Sequence, residues 1–356
     1  MKTRSLVCAF LLCTFSGIAQ THDPTPQELM DAGHWKRARA AVEKLGQTKP
    51  NEAQTAFLMA EVKQAFGDLE GALPLAQKAV SLDGKNAAYH TLFGEINGSL
   101  AEKASLFKQM GLARTFRKEV ELGASLDPRD IEPRSSLIEF YWEAPGMLGG
   151  DKKKCQEMVD EIAKINAVQG YLAAAQLAHL QKDVTKQQGF LEKAVEADPR
   201  HFEAQVALAN YYSADAEKKY DLAEKHAREA QEIDGTRITS YDLLAFLYAT
   251  EQRTKELDEI LSEAEKKIPD DFGPYYQAGK GLLLANQELP RAESYFRKYL
   301  TQEPEGESPN LAAAHWRLGQ VLEKENRKAD AIAELQTALR LQPDFPEAKK
   351  DLKRLR

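Results

Sequence analysis

Seven histidines and three cysteines are the side chains from which a metal centre or a nucleophile would have to be built. His22, His34, His90, His179, His201, His226 and His315 stand far apart, and no Cys-x-x-Cys or His-Glu-x-x-His occurs. Metal-ligand spacing is therefore missing. Gly146-Met147-Leu148-Gly149-Gly150-Asp151-Lys152 is the nearest approach to a phosphate loop. It lacks the Gly-x-x-x-x-Gly-Lys-Ser/Thr order and follows a helical pattern rather than a strand. There is no Gly-x-Ser-x-Gly, and spacing ties no serine to a histidine. Paired acids are common, as on any charged helical surface, and none marks an acid/base dyad. Cys155 stands where its helix asks for a small apolar residue, so it reads as a buried core thiol, with a reactive thiol as the alternative. These residues predict no catalytic group, no cofactor and no metal.

What must position the remaining side chains is a set of helices. From Ala312 to Phe345, the residues Ala314, Trp316, Leu318, Val321 and Leu322 fall at helical spacing. Ala331, Ile332, Leu335, Ala338 and Leu339 do so again after the polar turn Glu325-Asn326-Arg327-Lys328, and Pro343 stops the second run. Neither helix could bury its apolar stripe alone. The order Leu318-Gly319, Leu322, Ala331, Leu335, Ala338, Pro343 resembles the tetratricopeptide repeat, a helix pair recurring about every 34 residues.

Counting back by that period recovers copies without insertion over 53–86, 168–201 and 238–271. Copies with small adjustments span 202–237 and 273–306. Two more, 87–130 and 131–167, carry insertions near 101–113 and 142–151; such insertions look like those of a subgroup of exported bacterial tetratricopeptide proteins. Met147 and Leu148 in the second insertion are expected to pack back onto the helices, with a hydrophobic lip as the alternative. A partial copy at 25–50 has a short first helix, as terminal repeats do. A helix at 346–356 turns Leu352 and Leu355 inward and Lys349, Lys350, Lys353, Arg354 and Arg356 outward, which reads as a cap rather than a lipid site. About eight full repeats plus the partial one fill 20–356 as one unit. The expectation is an all-α, right-handed solenoid in which each pair packs only on its neighbours, giving a curved rod.

Residues 1–19 are a separate object. Lys2 and Arg4 precede an apolar run from Leu6 to Phe15, and Gly17-Ile18-Ala19 supplies small residues. This is the layout of a secretory signal peptide cleaved after Ala19, the run being short of the roughly 20 apolar residues that span a bilayer. No later stretch could cross a membrane. The product is expected to be acidic, exported and periplasmic. The formal charge of −7 gives no basic excess for binding nucleic acid.

The resemblance implies a binding scaffold whose first helices line a concave face. Its offsets place Phe57, Glu61, Glu95, Glu139, Trp142, Leu172, Asn210, Asp242, Phe246 and Trp316 there. The paired lysines with which the family's chaperone-binding members hold a terminal carboxylate are missing. Glu61, Glu95 and Glu139 instead share one offset in three consecutive repeats. They are expected to form a negative strip that steers a basic segment of a protein or peptide partner, with Leu172, Phe246 and Trp316 as apolar anchors. A merely solvated acidic face is the alternative. The function expected is a non-catalytic interaction scaffold in the bacterial envelope. The alternative is a subunit or regulator of an envelope assembly, handling pili, peptidoglycan or outer-membrane proteins, that acts through its convex face and insertion loops.

Overall fold

The computed structural model describes residues 23–214, 217–306 and 308–356, so the proposed export segment lies outside the described residues. Among the described residues all regular structure is helical: nineteen α-helices and one short 3-10 turn. They follow one another as antiparallel pairs: α1 (Pro26–Asp31) with α2 (Trp35–Thr48), α3 (Ala53–Ala65) with α4 (Leu69–Leu82), and α5 (Ala87–Glu102) with α6 (Leu106–Leu126). The series continues with α7 (Glu132–Glu143) and α8 (Lys152–Ile165), α9 (Ala167–Leu180) and α10 (Val184–Ala197), α11 (Phe202–Ser213) and α12 (Tyr220–Ile233). It ends with α13 (Ile238–Thr250) and α14 (Thr254–Lys267), α15 (Gly273–Ala285) and α16 (Leu289–Tyr299), α17 (Leu311–Lys324) and α18 (Lys328–Leu341), and a last helix, α19 (Pro346–Leu355). The fold is an α-solenoid.

Small residues set the spacing. Ala72, Ala76 and Ala79 on α4 are fully buried, as are Ala223, Ala227 and Ala230 on α12 and Ala331 and Ala338 on α18. With only a methyl group at each contact, the second helix lies close against the first, and aromatic and aliphatic side chains of the first helix fill the flanks. The turn inside a pair has its own signature. In every pair but α5–α6 a residue there takes a positive φ: Gly33, Gly67, Gly149, Lys182, Lys218, Gln252 and Asn326, with both Asn286 and Glu288 in the α15–α16 turn. Helix starts are capped by short acceptors, Asp68 on the Gly71 amide at 2.9 Å and Asn310 on the Ala313 amide at 2.9 Å.

Contacts between pairs show which side is concave. First helices touch first helices, α3 with α5, α5 with α7, α13 with α15 and α15 with α17, whereas second helices stand farther apart. The first helices are thus the inner wall of a curved stack.

Both insertions project beyond it. The first lengthens its pair, α6 reaching 21 residues, and leaves Leu106 68% and Phe107 84% exposed at the helix start. The second forms the 3-10 turn Gly146–Leu148, tied down by Arg117, whose guanidinium donates to the Leu148 carbonyl at 3.1 Å. Met147 is 75% exposed, so it does not pack back as expected. The bond that anchors this turn runs through the backbone of Leu148, which leaves the neighbouring side chain free to point away.

A second correction concerns the ends. Packing is not confined to neighbours: α2 lies against the chain that follows α14 and α16. Arg37 binds Asp270 at 2.5 and 2.7 Å, and Arg39 binds Glu303 at 2.5 and 2.9 Å. A Cβ on Gly306 would lie 2.9 Å from both Ala65 and Trp35, so a glycine is required where the chain passes them. The rotation from each pair to the next, accumulated along the stack, brings the solenoid back to its own start.

Candidate partner-binding surface

The inner wall carries carboxylates in two groups. Glu61 on α3 and Glu95 on α5 sit as the common offset expects, but burial dominates their chemistry. The Glu61 carboxyl is pushed up to about 8, first by desolvation and then by the charges of Glu132, Asp31 and Glu95. Glu95 is pushed up to about 7 by burial and by Glu132, against the opposing effect of the Ser136 hydroxyl, which donates to it at 2.5 Å. Burial, Asp130 and Asp31 raise Glu132 as well. The Glu61 Oε2 is buried without a hydrogen bond.

The third member of this group is therefore Glu132, not Glu139. Glu139 is not among the charges that act on Glu61 or Glu95, whereas Glu132 acts on both. Successive first helices are out of axial register, as the Ser136–Glu95 bond shows, so the neighbour of Glu95 on α7 lies nearer that helix's start. The strip is also not uniformly negative at neutral pH, because desolvation pushes the Glu61 carboxyl up to about 8.

The second group lies farther along. Asp271, only 4% exposed, accepts a hydrogen bond from the Gly273 amide at 2.8 Å. Asp242 on α13 is raised well above the usual carboxylate range by burial and by Asp271. Its Oδ1 is buried without a hydrogen bond. Beside it opens a hollow of about 360 Å³ lined by Asn210, Asp242, Phe246, Gln277 and Lys280. The Lys280 ammonium stands 5.2 Å from the centre of the Phe246 ring. Three of the residues expected on the concave face, Asn210, Asp242 and Phe246, thus meet at one place.

The others do other work. Phe57 is buried against Tyr89, ring centres 5.0 Å apart. Leu172 is half-buried and packed on the core. Trp142 is half-buried beneath the Lys152 ammonium, 4.1 Å from its ring. Trp316 is covered by the last helix: its Nε1 donates to Asp351 at 2.8 Å and its ring meets Phe345 at 5.3 Å. As an anchor for a partner, Trp316 is already taken. Glu132, Asp271, Gln277 and Lys280 did not stand out in the sequence, where charged residues of this kind are everywhere.

Three of the histidines serve the helix pairs. His90 meets Glu119 at 2.7 Å, His226 meets Gln205 at 2.7 Å and His315 meets Glu334 at 2.6 Å. Among the described residues no group of three or more His, Cys, Asp or Glu could hold a metal ion. Cys155 is fully buried, donates to the Ile138 carbonyl at 3.3 Å, and has its thiol pushed up to about 11 by desolvation.

The stacked pairs, their alanine contacts and their recurring turns have a match in sequence: the family model for the tetratricopeptide repeat fits residues 312–345. The chain is a tetratricopeptide-repeat protein. It is similar to the TPR repeat-containing protein YpiA of Bacillus subtilis (strain 168), 27% identical over 266 residues, covering 69% of this chain and 57% of that protein. The chain thus spans little more than half the length of that relative. Among solved structures, yeast Tom70 superposes with a TM-score of 0.49 at 16% identity, covering 93% of this chain and 79% of that one. TTC0263 of Thermus thermophilus, a thermophilic TPR protein, superposes at 0.46 and 15% identity over 53% of this chain and 96% of that one. Tetratricopeptide proteins are in general protein-interaction scaffolds, a fold class that is typically non-catalytic. Among the described residues no helix is long and apolar enough to cross a membrane.

Proposed function

We propose that this chain is a non-catalytic scaffold of the bacterial cell envelope that takes a basic segment of a protein partner on its concave wall. The observation that carries the reading is the Asp242 carboxylate, whose Oδ1 is buried without a hydrogen bond beside an open hollow on the inner helices; the Glu61 Oε2, elsewhere on the first helices, is buried and unbonded in the same way. A buried carboxylate lacking a partner is costly, and a lysine or arginine from outside removes that cost. Charged Lys2 and Arg4, the apolar run after them and Gly17-Ile18-Ala19 support export to the periplasm.

Binding of a cation is then linked to proton release. Glu61 and Glu95 carry protons below about 8 and about 7, so a basic segment meets a weaker site in acid. The test uses the intact chain as bait in an envelope extract, with captured proteins identified by mass spectrometry. Lys/Arg-rich partners should be held more firmly at pH 8.5 than at pH 6, and lost from the triple variant Glu61→Gln, Glu95→Gln, Asp242→Asn. Retention of the same partners by that variant would sink the proposal.

A second reading, an assembly subunit acting through the insertions, draws support from the exposure of Phe107 and Met147. It expects Phe107→Ser or Met147→Ser, rather than the carboxylate variant, to abolish capture.

A further inference from the structure

The place where the solenoid meets its own start is built as a binding site. Helix α2 has no cap of its own: the His34 side chain makes no bond to it. Glu305 supplies the cap from the far end of the chain, its Oε2 accepting from the Lys36 amide at 2.7 Å. A carboxylate there also meets the positive end of the helix dipole. Glu305 is 4% exposed, and its Oε1 has no hydrogen bond, the Lys36 ammonium standing 3.8 Å away. That ammonium donates to the backbone carbonyls of Asp270 and Glu303. Arg37 and Arg39 engage the Asp270 and Glu303 carboxylates with two bonds each. An acidic shelf thus reads three features together: a helix start, a lysine on its first turn and two bidentate arginines.

The Arg37 and Arg39 side chains remain 42% and 31% exposed and are held by charge, which water and salt compete with, whereas Lys36 is more deeply set at 17%. Apolar contact occurs where Trp35 and Ala65 stand beside Gly306. We propose that the shelf of Asp270, Glu303 and Glu305 is a recognition site for a basic helix of the form Lys-Arg-x-Arg, occupied at rest by the chain's own α2 and open to a partner segment that displaces it. The resting contact closes the solenoid on itself; displacement opens it. This rests on the scaffold reading, but its probe is the chain's own sequence, so its failure would leave the partner capture described above untouched.

A free ligand binds only the fraction of molecules in which the internal occupant has left, and its apparent affinity falls by that fraction. The probe is a fluorescent synthetic peptide of residues 33–49, titrated into the full chain by anisotropy at low salt. The variant R37A/R39A should bind it at least about tenfold more tightly than wild type, because its own α2 no longer competes well. Adding D270N and E303Q should remove that binding, with circular dichroism confirming that each chain is helical. Equal affinity for wild type and R37A/R39A, or binding that survives the shelf substitutions, overturns the proposal. A second measurement needs no variant. Hydrogen exchange at the Lys36 amide of wild type should quicken in excess peptide, and unchanged protection there overturns it equally.

Discussion

Glu61 shows how one side chain can be placed correctly from sequence and still be misjudged. Its offset in the repeat put it on a first helix beside Glu95, whose charge does act on it, but nothing in the offset said that neighbouring helices would strip its water. Desolvation raises its carboxyl from 4.5 to about 8. The sign of the consequence follows: the folded state binds the proton more tightly than the unfolded one, so the associated stability is fully present below about 4.5 and lost as pH rises through about 8. Glu61→Gln should therefore melt at the same temperature as wild type at pH 4 and clearly higher at pH 9. A thermal-melting difference independent of pH would show that the carboxyl is not strained by ionisation. Cys155 is the opposite case, since a small apolar slot in a second helix was enough to read a buried thiol, and the structure buries it completely.

At the scale of the element, alternation of apolar faces and the alanine stripe made the helix pairs legible, because both arise from contacts within a few dozen residues. The turn inside a pair was only half legible. Gly33 and Gly67 announce a left-handed backbone, whereas Lys182, Lys218 and Gln252 adopt the same conformation with a Cβ in place, at φ of 58°, 48° and 59°. The geometry of the pair imposes it, and the side chain tolerates it at a cost of roughly 1–2 kcal/mol. Gln252→Gly and Lys182→Gly should each stabilise the chain by roughly 0.5–1 kcal/mol in urea unfolding, the strain relief exceeding glycine's greater entropy loss. Destabilisation by either would mean that the side chain makes a contact worth more than the strain. The insertions escaped the same logic: a lengthened helix pair and a 3-10 turn have no repeat to be compared with, so the exposure of Phe107 was not foreseeable and that of Met147 answers to the alternative reading of a hydrophobic lip.

For the whole molecule, stability in a stack is close to a sum over neighbouring pairs. The last helix covers the open end, with Leu352 and Leu355 each 8% exposed and Trp316 bonded to Asp351. Removing 346–356 should uncover α17 and α18, lower the melting temperature, and make hydrogen exchange at 311–341 the first to quicken. Uniform exchange along the truncated chain would show that the end was not being protected. The meeting of α2 with the loops that follow α14 and α16 was invisible in sequence for a definite reason. It depends on a small rotation repeated from pair to pair, and a slight error in that rotation, multiplied along the stack, moves the ends apart or past each other. The basic run Lys36-Arg37-Ala38-Arg39 in an acidic chain was the only trace of it.

That meeting also imposes an order in time. The Lys36 amide and its Glu305 acceptor are 269 residues apart in the chain. At synthesis rates of about 5–20 residues per second, the first pair waits roughly 13–54 s before its counterpart exists. An apolar docking face left bare for that long would invite association with other nascent chains. A face of lysine and arginine keeps its hydration while it waits and surrenders it only when the carboxylates arrive. The choice of charge over oil at the seam thus suits a first pair that must stay unattached until residues 270–305 have been made.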